Sequence, residues 1–103
     1  MTKKRETKEI SKSNILSAAV ELAKKVGYNR ITREGVSKRA NVSENLVSYY
    51  FNTMHQLRNK VMRYAVTNNV PEIVAQGLAL KDKQVRKASP ELKAQAVELM
   101  TNY

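Results

Sequence analysis

Cysteine is absent from this chain of 103 residues, and histidine occurs once, at His55. Without cysteine the protein can form neither disulfide bonds nor a thiolate nucleophile. His55 has no second histidine and no nearby carboxylate in the sequence, so the pattern does not indicate a metal site. A His/Cys/Asp constellation and a glycine-rich phosphate loop are missing as well. We therefore expect no catalytic residues, no metal, no cofactor and no enzyme activity.

Glycine and proline are scarce, with three and two residues, and segments typical of β-strands are few. No apolar run approaches the length of a membrane-spanning helix. The composition, 42% hydrophobic and 27% charged, is typical of a globular protein rather than of a disordered tail. We therefore predict an all-α fold, a small helical bundle in one domain or in one domain with an appendage, and we expect it in the cytoplasm.

Positive charge is in excess, with a formal net charge of +10. Residues 1–64 contain 14 Lys and Arg against five Asp and Glu, a net of +9, whereas residues 65–103 contain five against four. Almost all of the excess therefore lies in the N-terminal part of the chain. A polyanionic partner for that part explains the asymmetry better than a basic surface kept for solubility.

Residues 1–12 carry five Lys or Arg and two Glu but hardly any apolar side chain, and we predict that they form a flexible basic arm. Such an arm could follow DNA phosphates or enter a minor groove, although a plain solvated terminus is an equal alternative. From residue 13 to residue 26 the apolar residues recur at helical spacing, and Gly27 fits the end of that helix. This first helix is interpreted as core scaffold. The arm residues with a predicted phosphate contact are Lys3, Lys4 and Arg5.

The most informative stretch is residues 33–52, REGVSKRANVSENLVSYYFN. Thr32 can cap a short helix over residues 33–40, and Asn41 tolerates the left-handed conformation of a tight turn. Ser43 can cap a second helix that continues to about position 52. Helix, short turn and capped second helix together form the helix-turn-helix pattern, in which the second helix reaches into the major groove of DNA. The inward face of this helix is predicted to contain Val47, Tyr50 and Phe51.

The outward face of the second helix carries side chains that suit base edges. Asn can pair with adenine through two hydrogen bonds, Glu can accept one from cytosine, and Ser is permissive. An ordinary solvated polar face is the competing interpretation. The base-contact candidates on this face are Glu44, Asn45, Ser48 and Tyr49. The phosphate-contact candidates of the motif are Thr32, which opens a helix, Arg33, Lys38, Arg39 and Tyr50.

The rest of the chain is predicted to be helical too. Thr53 can cap a fourth helix that ends near position 68, and Pro71 fits the first turn of a fifth that ends near position 80. The segment 81–88 is charged and ambiguous, whereas Ser89 precedes a clear helix start. Residues 70–103 are nearly neutral and amphipathic, so they either cover the N-terminal bundle or pair with a second copy. A two-fold homodimer would present two recognition helices to successive major-groove faces.

Residues 15–57, ILSAAVELAKKVGYNRITREGVSKRANVSENLVSYYFNTMHQL, resemble the N-terminal DNA-binding domain of TetR-type regulators. The shared order is an apolar first helix ending in Gly-Tyr, a Thr opening the second helix, Val-Ser before the recognition helix, and a Tyr/Phe pair at its end. The resemblance covers about the first 65 residues and implies a DNA-binding domain over residues 13–69. By position, the family's phosphate-contacting Thr corresponds to Thr32. Its base-reading positions correspond to Glu34, Ser43, Glu44, Asn45 and Ser48, with Tyr49 beside them.

Three positions depart from the family pattern. Ser48 replaces a usual Tyr, Tyr50 a common His, and Met54 a frequent phosphate-binding Lys, whose contact the basic arm could replace. Fewer than forty residues follow the fourth helix, whereas the family normally adds a large ligand-binding and dimerising domain. That is too little chain to enclose a drug-sized pocket easily, so we expect no small-molecule inducer. Such a short regulator would suit a phage or a mobile element.

The sequence therefore predicts a transcriptional regulator, a repressor, that binds double-stranded DNA sequence-specifically and is associated with the nucleoid when bound. The main alternative is an architectural or accessory DNA-binding protein, such as an excision or replication factor. An RNA-binding protein is less favoured, because regularly spaced aromatic stacking platforms are not evident. A protein-interaction module that uses the motif only as scaffold also stays open.

Overall fold

The computed structural model describes the backbone of residues 3–101 and the side chains of residues 11–101. This part of the chain contains helices and connecting loops but no β-strand, which confirms the predicted all-α class. No helix in the described range combines the length and apolarity needed to cross a bilayer. The helices are α1 (Lys3–Val26), α2 (Arg33–Ala40), α3 (Glu44–Tyr50), α4 (Met54–Thr67), α5 (Pro71–Ala79), the 3-10 helix η1 (Lys83–Lys87) and α6 (Pro90–Thr101).

Helix α1 begins at Lys3, ten residues before the start predicted at Ser13. The predicted arm is thus helical backbone from Lys3 to Lys12, a difference from the expectation of a separate flexible segment. Residues 3–12 contain no Gly or Pro, and straight-chain Lys, Arg and Glu favour helix, so nothing in the local sequence stops α1 there. The side chains of Lys3, Lys4 and Arg5 lie outside the described ones, and their phosphate contacts stay a prediction.

The helix boundaries after α1 follow local chemistry. Gly27 ends α1 with a φ of +100°, a left-handed conformation that residues with a Cβ rarely adopt. Pro71 occupies the first turn of α5, and the Ser89 hydroxyl accepts a hydrogen bond from the Leu92 amide at 3.2 Å. The ambiguous segment 81–88 contains η1, which the Asp82 carboxylate caps by accepting from the Gln84 amide at 2.9 Å. The predicted helix starts at Pro71 and after Ser89 are therefore confirmed.

One continuous hydrophobic core joins the N-terminal helices to the C-terminal ones. In the structure α5 and η1 pack against α4, and α6 packs against α5, while pairing of residues 70–103 with a second copy stays a prediction. The apolar side chains of Val26 and Leu80 are 45% and 52% exposed, because each lies at a helix end where the chain turns away. The shared core includes Ile15, Ala19, Ile31, Val36, Val47, Leu57 and Val61 from the N-terminal helices, and Ile73, Val74, Val85, Leu92 and Ala96 from the C-terminal ones.

A set of hydrogen bonds ties the loop after α1 to the C-terminal region. The Gln76 side chain accepts from the Tyr28 amide at 2.7 Å and donates to the Ala23 carbonyl at 2.9 Å. The buried Tyr28 hydroxyl donates to the Asp82 carboxylate at 2.8 Å, and burial, followed by this hydrogen bond, raises the pKa of Tyr28. The two Gln76 bonds fix α5 against the end of α1, and the Asp82 bond fixes the segment that follows α5. The path of the chain into α2 therefore depends on residues far downstream.

We predict that Gln76→Ala lowers the free energy of unfolding by about 1–3 kcal/mol, because the Tyr28 amide loses its acceptor. Thermal or urea unfolding measures this loss. Gln95→Ala, which truncates an exposed Gln in α6, is the matched control and should leave stability nearly unchanged. Equal stability of the two variants would show that the Gln76 hydrogen bonds do not hold the two regions together.

Candidate nucleic-acid interface

Thr32 initiates α2 as a helix cap. Its backbone is extended, with φ −116° and ψ 157°, and its hydroxyl oxygen accepts a hydrogen bond from the Gly35 amide at 3.0 Å. The predicted cap is therefore confirmed. The residue is exposed, and its hydroxyl proton is free to be donated while the oxygen accepts. A phosphate contact by Thr32 is thus compatible with its structural role.

The charged residues of α2 that are candidates for DNA contact differ in their environments. Glu34 and Lys38 form an exposed ion pair at 2.9 Å. The hydrogen bond from Lys38 and its charge lower the pKa of Glu34, and the same contacts raise the pKa of Lys38. Exposed pairs contribute little stability, so a phosphate can replace Glu34 as the partner of Lys38. Arg39 is exposed, whereas Arg33 is half-buried, with an Nε that has no hydrogen-bond partner among the described residues.

The turn between α2 and α3 is a Schellman motif. Asn41 has φ 59° and ψ 47°, and its amide donates to the Lys38 carbonyl at 3.2 Å. The next amide, of Val42, donates to the Ser37 carbonyl at 3.0 Å. These two bonds satisfy carbonyls at the end of α2 and reverse the chain direction. The predicted left-handed turn at Asn41 is confirmed, and it sets the angle at which α3 leaves α2.

Helix α3 starts as predicted but is shorter. The Ser43 hydroxyl accepts from the Leu46 amide at 3.1 Å, which confirms the cap. The helix ends at Tyr50 instead of near Asn52. Phe51 takes an extended conformation, with φ −128° and ψ 92°, and lies in the core at 4% exposure. The helix stops there because the chain bends to bury this ring.

The two faces of α3 have different surroundings. Val47 is fully buried, whereas Glu44 and Asn45 are exposed and Tyr49 is 69% exposed. Ser48, expected on the outward face, is half-buried. It lies three residues before the buried Phe51 and thus on the flank of the inner face. The first turn of α3 therefore offers an amide and a carboxylate to a partner, with Tyr49 one turn later.

Tyr50 lies between the two faces. It is half-buried and packs against the core, as its predicted inward position requires, so only part of it is available to a phosphate. Its ring meets the Tyr49 ring edge-to-face, with centroids 5.0 Å apart and an interplanar angle of 82°. Edge-to-face pairs are favourable for aromatic rings, so Tyr50 helps to orient the exposed Tyr49.

Gln56 and Arg58 also support the motif, and neither contact was predicted from the sequence. Thr53, a predicted cap, accepts from the Gln56 amide at 3.1 Å, and the Gln56 side chain accepts from the Asn52 amide at 3.1 Å. Thr followed three residues later by Gln is the sequence signal of a capping box, although here the Gln56 oxygen accepts from the amide of Asn52, one residue before the cap. Arg58 donates to the Ile31 carbonyl at 3.0 Å, across 27 positions, and no local signal announces that contact. Both contacts hold α4 in place beside the motif.

Residues 15–61 match the model of a family described as bacterial regulatory proteins, tetR family. The matched segment extends from the fully buried Ile15 of α1 into α4, and it contains the Thr32 cap, the turn at Asn41 and all of α3. A comparison with curated proteins found no match to this chain. The family match implies a DNA-binding transcription regulator.

The left-handed turn generates a direct prediction. Asn41→Val should lower the free energy of unfolding by about 1–2 kcal/mol, because a β-branched residue at φ 59° clashes with its own backbone. It should also weaken binding to DNA, since α3 is no longer held at its angle. Asn41→Gly, which accepts the same conformation, is the control and should retain both properties. Thermal unfolding and duplex binding measure the two effects, and a Val variant as stable as the Gly variant would contradict the role of this turn.

Proposed function

Because residues 15–61 carry a TetR-type N-terminal helix-turn-helix domain, we propose that the protein is a sequence-specific repressor of transcription that reads duplex DNA with α3. The observation that supports this most is the two-sided character of α3. Its inner side is anchored by the buried Val47, while Glu44 and Asn45 stand exposed directly after the Ser43 cap. An anchored helix with a polar first turn is what major-groove reading requires.

In the proposed complex, the first turn of α3 contacts base edges. The Asn45 amide has the donor and acceptor needed for adenine, and the Glu44 carboxylate can accept from the amino group of cytosine. Glu44 could instead restrain a neighbouring Arg. Tyr49 extends the contact area beyond the first turn, and Ser43 and Glu34 lie at its border. The half-buried Ser48 contributes at the flank of the helix.

Phosphate contacts hold the helix in register. Thr32, Lys38 and Arg39 are exposed at the two ends of α2, the helix that precedes the recognition helix. The charge of residues 1–64 supplies the long-range attraction, and Lys3, Lys4 and Arg5 are proposed to add to it. Phosphate contacts of this kind carry no sequence information but determine orientation and make affinity fall with salt.

We further propose that two copies associate through residues 70–103. Helices α5 and α6 pack on each other, yet Leu80, Val97 and Met100 stay 52%, 50% and 41% exposed. Leu99 is half-buried on the same helix as Val97 and Met100. Val97 and Met100 are three residues apart and share one face of α6, and an exposed apolar face favours a protein contact. A two-fold dimer would let the two copies of α3 read an inverted repeat.

In this proposal the protein represses transcription by occupying its DNA site, and no small molecule induces its release. The cavity beside Leu99 and Met100 is about 260 Å³, and a larger groove beside α4, of about 500 Å³, is lined mostly by polar and charged side chains. Drug-sized ligands usually occupy about 300–1,000 Å³ in a largely apolar pocket. Control through the amount of protein, as in a phage or a mobile element, fits a regulator of this kind.

The experiment that tests the function is selection of bound duplexes from a random library at a stated salt concentration. We expect a discrete, palindromic site. Recovery of random sequences only would contradict sequence-specific repression, and recovery of bent or serially repeated sites would favour an architectural protein. Salt must be fixed because the phosphate contribution to affinity depends strongly on it.

We predict that Asn45→Ala weakens binding to the selected site by about 1–3 kcal/mol, roughly fivefold to 150-fold, because two hydrogen bonds to a base are lost. Binding to random duplex should change little. Asn29→Ala, at an exposed position outside α3, is the matched control. Fluorescence anisotropy with both duplexes measures the difference. Equal losses on selected and random DNA would reject base reading by Asn45.

We predict that the double variant Val97→Glu, Met100→Glu sediments as a monomer and binds the palindromic site more weakly than wild type. Charged side chains on this face would have to be buried in the dimer, at a large desolvation cost. The double variant Gln95→Glu, Thr101→Glu adds the same charge at exposed polar positions of α6 and should stay dimeric. A wild-type monomer, or a dimer in both variants, would refute this interface.

A further inference from the structure

A basic groove lies at the end of α3, outside the base-contact candidates of the recognition helix. It holds about 500 Å³ and is lined by four cationic side chains, Lys12, Lys60, Arg63 and Lys87. None of its described lining residues is acidic. Among the described side chains, the ion pairs are Glu21 with Lys24 and Glu34 with Lys38, so neither includes a groove cation. Four positive charges thus converge without a described counter-charge.

Three separate segments bring these cations together. Lys60 and Arg63 lie three residues apart on α4, Lys12 belongs to α1, and Lys87 ends η1. With Gln56, the α4 residues follow one helix face for about 10 Å, since each residue rises about 1.5 Å. The tertiary fold therefore creates a strip of positive charge that the linear sequence does not display.

Hydrogen bonds fix the wall that η1 contributes. Gln84 donates to the Asn59 side-chain oxygen at 2.9 Å, and the Asn59 amide nitrogen lies 3.1 Å from the His55 Nε2. Both Gln84 and Asn59 line the groove, so these bonds hold η1 against α4. The side-chain oxygen of Gln84 is buried and has no hydrogen-bond partner among the described residues. The groove floor is therefore polar and ordered, whereas its cations are exposed at the rim.

The groove is continuous with the recognition helix. Tyr50, the last residue of α3, lines it, and the Tyr50 ring contacts the 69% exposed Tyr49. A ligand that follows the exposed surface of α3 towards its C-terminal end thus meets the four cations next. This adjacency favours the same DNA duplex as the occupant over an independent acidic protein.

We propose that this groove binds the sugar–phosphate backbone of the duplex that flanks the segment read by α3. The assignment rests on the proposed function and adds a second contact region to it. Along the helix axis one DNA strand carries a phosphate about every 3.4 Å, so several phosphates of one strand come within reach of the four cations around the groove. Exposed, flexible Lys and Arg side chains suit such contacts, which need charge but no base recognition. The footprint therefore extends past the bases that α3 touches.

The test compares two variants that each lose three positive charges. The groove variant is Lys60→Gln, Arg63→Gln, Lys87→Gln. The control variant is Lys25→Gln, Lys83→Gln, Arg86→Gln, which removes exposed cations outside the groove lining. Each protein is titrated with the duplex obtained by selection, first with long flanks and then trimmed to the bases of the selected site, over a series of salt concentrations.

We expect long flanks to strengthen binding by wild type and by the control variant but not by the groove variant. The groove variant should lose roughly tenfold or more in affinity for the long duplex at low salt, and its slope of log K against log salt should fall by about two to three. On the trimmed duplex the groove and control variants should bind alike, because both lack the same number of long-range charges.

Other outcomes overturn the assignment in distinguishable ways. If wild type selects a site but the groove variant still gains affinity from long flanks, the groove proposal fails and the proposed function stands. If a free nucleoside triphosphate binds through the groove while flanks have no effect, the groove is a small-anion site. If wild type prefers no duplex at all, the proposed function fails, and the groove assignment fails with it.

Discussion

The structure of the interface depends on the left-handed turn at Asn41. Helices α2 and α3 contain eight and seven residues, lengths at which an isolated helix is marginal in water. Their relative direction comes from the Schellman bonds of Asn41 and Val42 and from the Ser43 cap that follows. Burial of Val47 then fixes which side of α3 faces solvent. A three-residue connection thus decides which polar groups of α3 are exposed to solvent.

Residues after α4 also hold the helix-turn-helix in position. The N-terminal helices share one hydrophobic core with α5, η1 and α6, so packing of the helix-turn-helix depends on the C-terminal helices. Gln76 and Asp82 hold Tyr28, four positions before the Thr32 cap, and Arg58 holds Ile31. The loop that enters α2 is therefore fixed from two sides. Rigidity of this kind matters because base contacts require a well-positioned helix.

Local features were predictable from sequence, and long-range ones were not. The caps at Thr32 and Ser43 and the turn at Asn41 depend on the conformational preferences of single residues and their immediate neighbours, so the sequence alone indicates them. The Tyr28–Gln76 hydrogen bond joins residues 48 positions apart, and only the packing of α5 on α1 brings them together. The groove cations converge for the same reason. The early start of α1 was missed because a charged, helix-favouring segment was interpreted as a solvated arm.

We propose that α3 contacts duplex DNA through its exposed first turn while its buried side stays in place. The most direct measurement is NMR chemical-shift mapping of isotope-labelled protein titrated with the selected duplex. We expect the largest changes at the Asn45 side-chain amide and at the backbone amides of residues 43–49, with little change at the buried Leu92 and Ala96 of α6. Large shifts confined to α5 and α6, with none in α3, would contradict it.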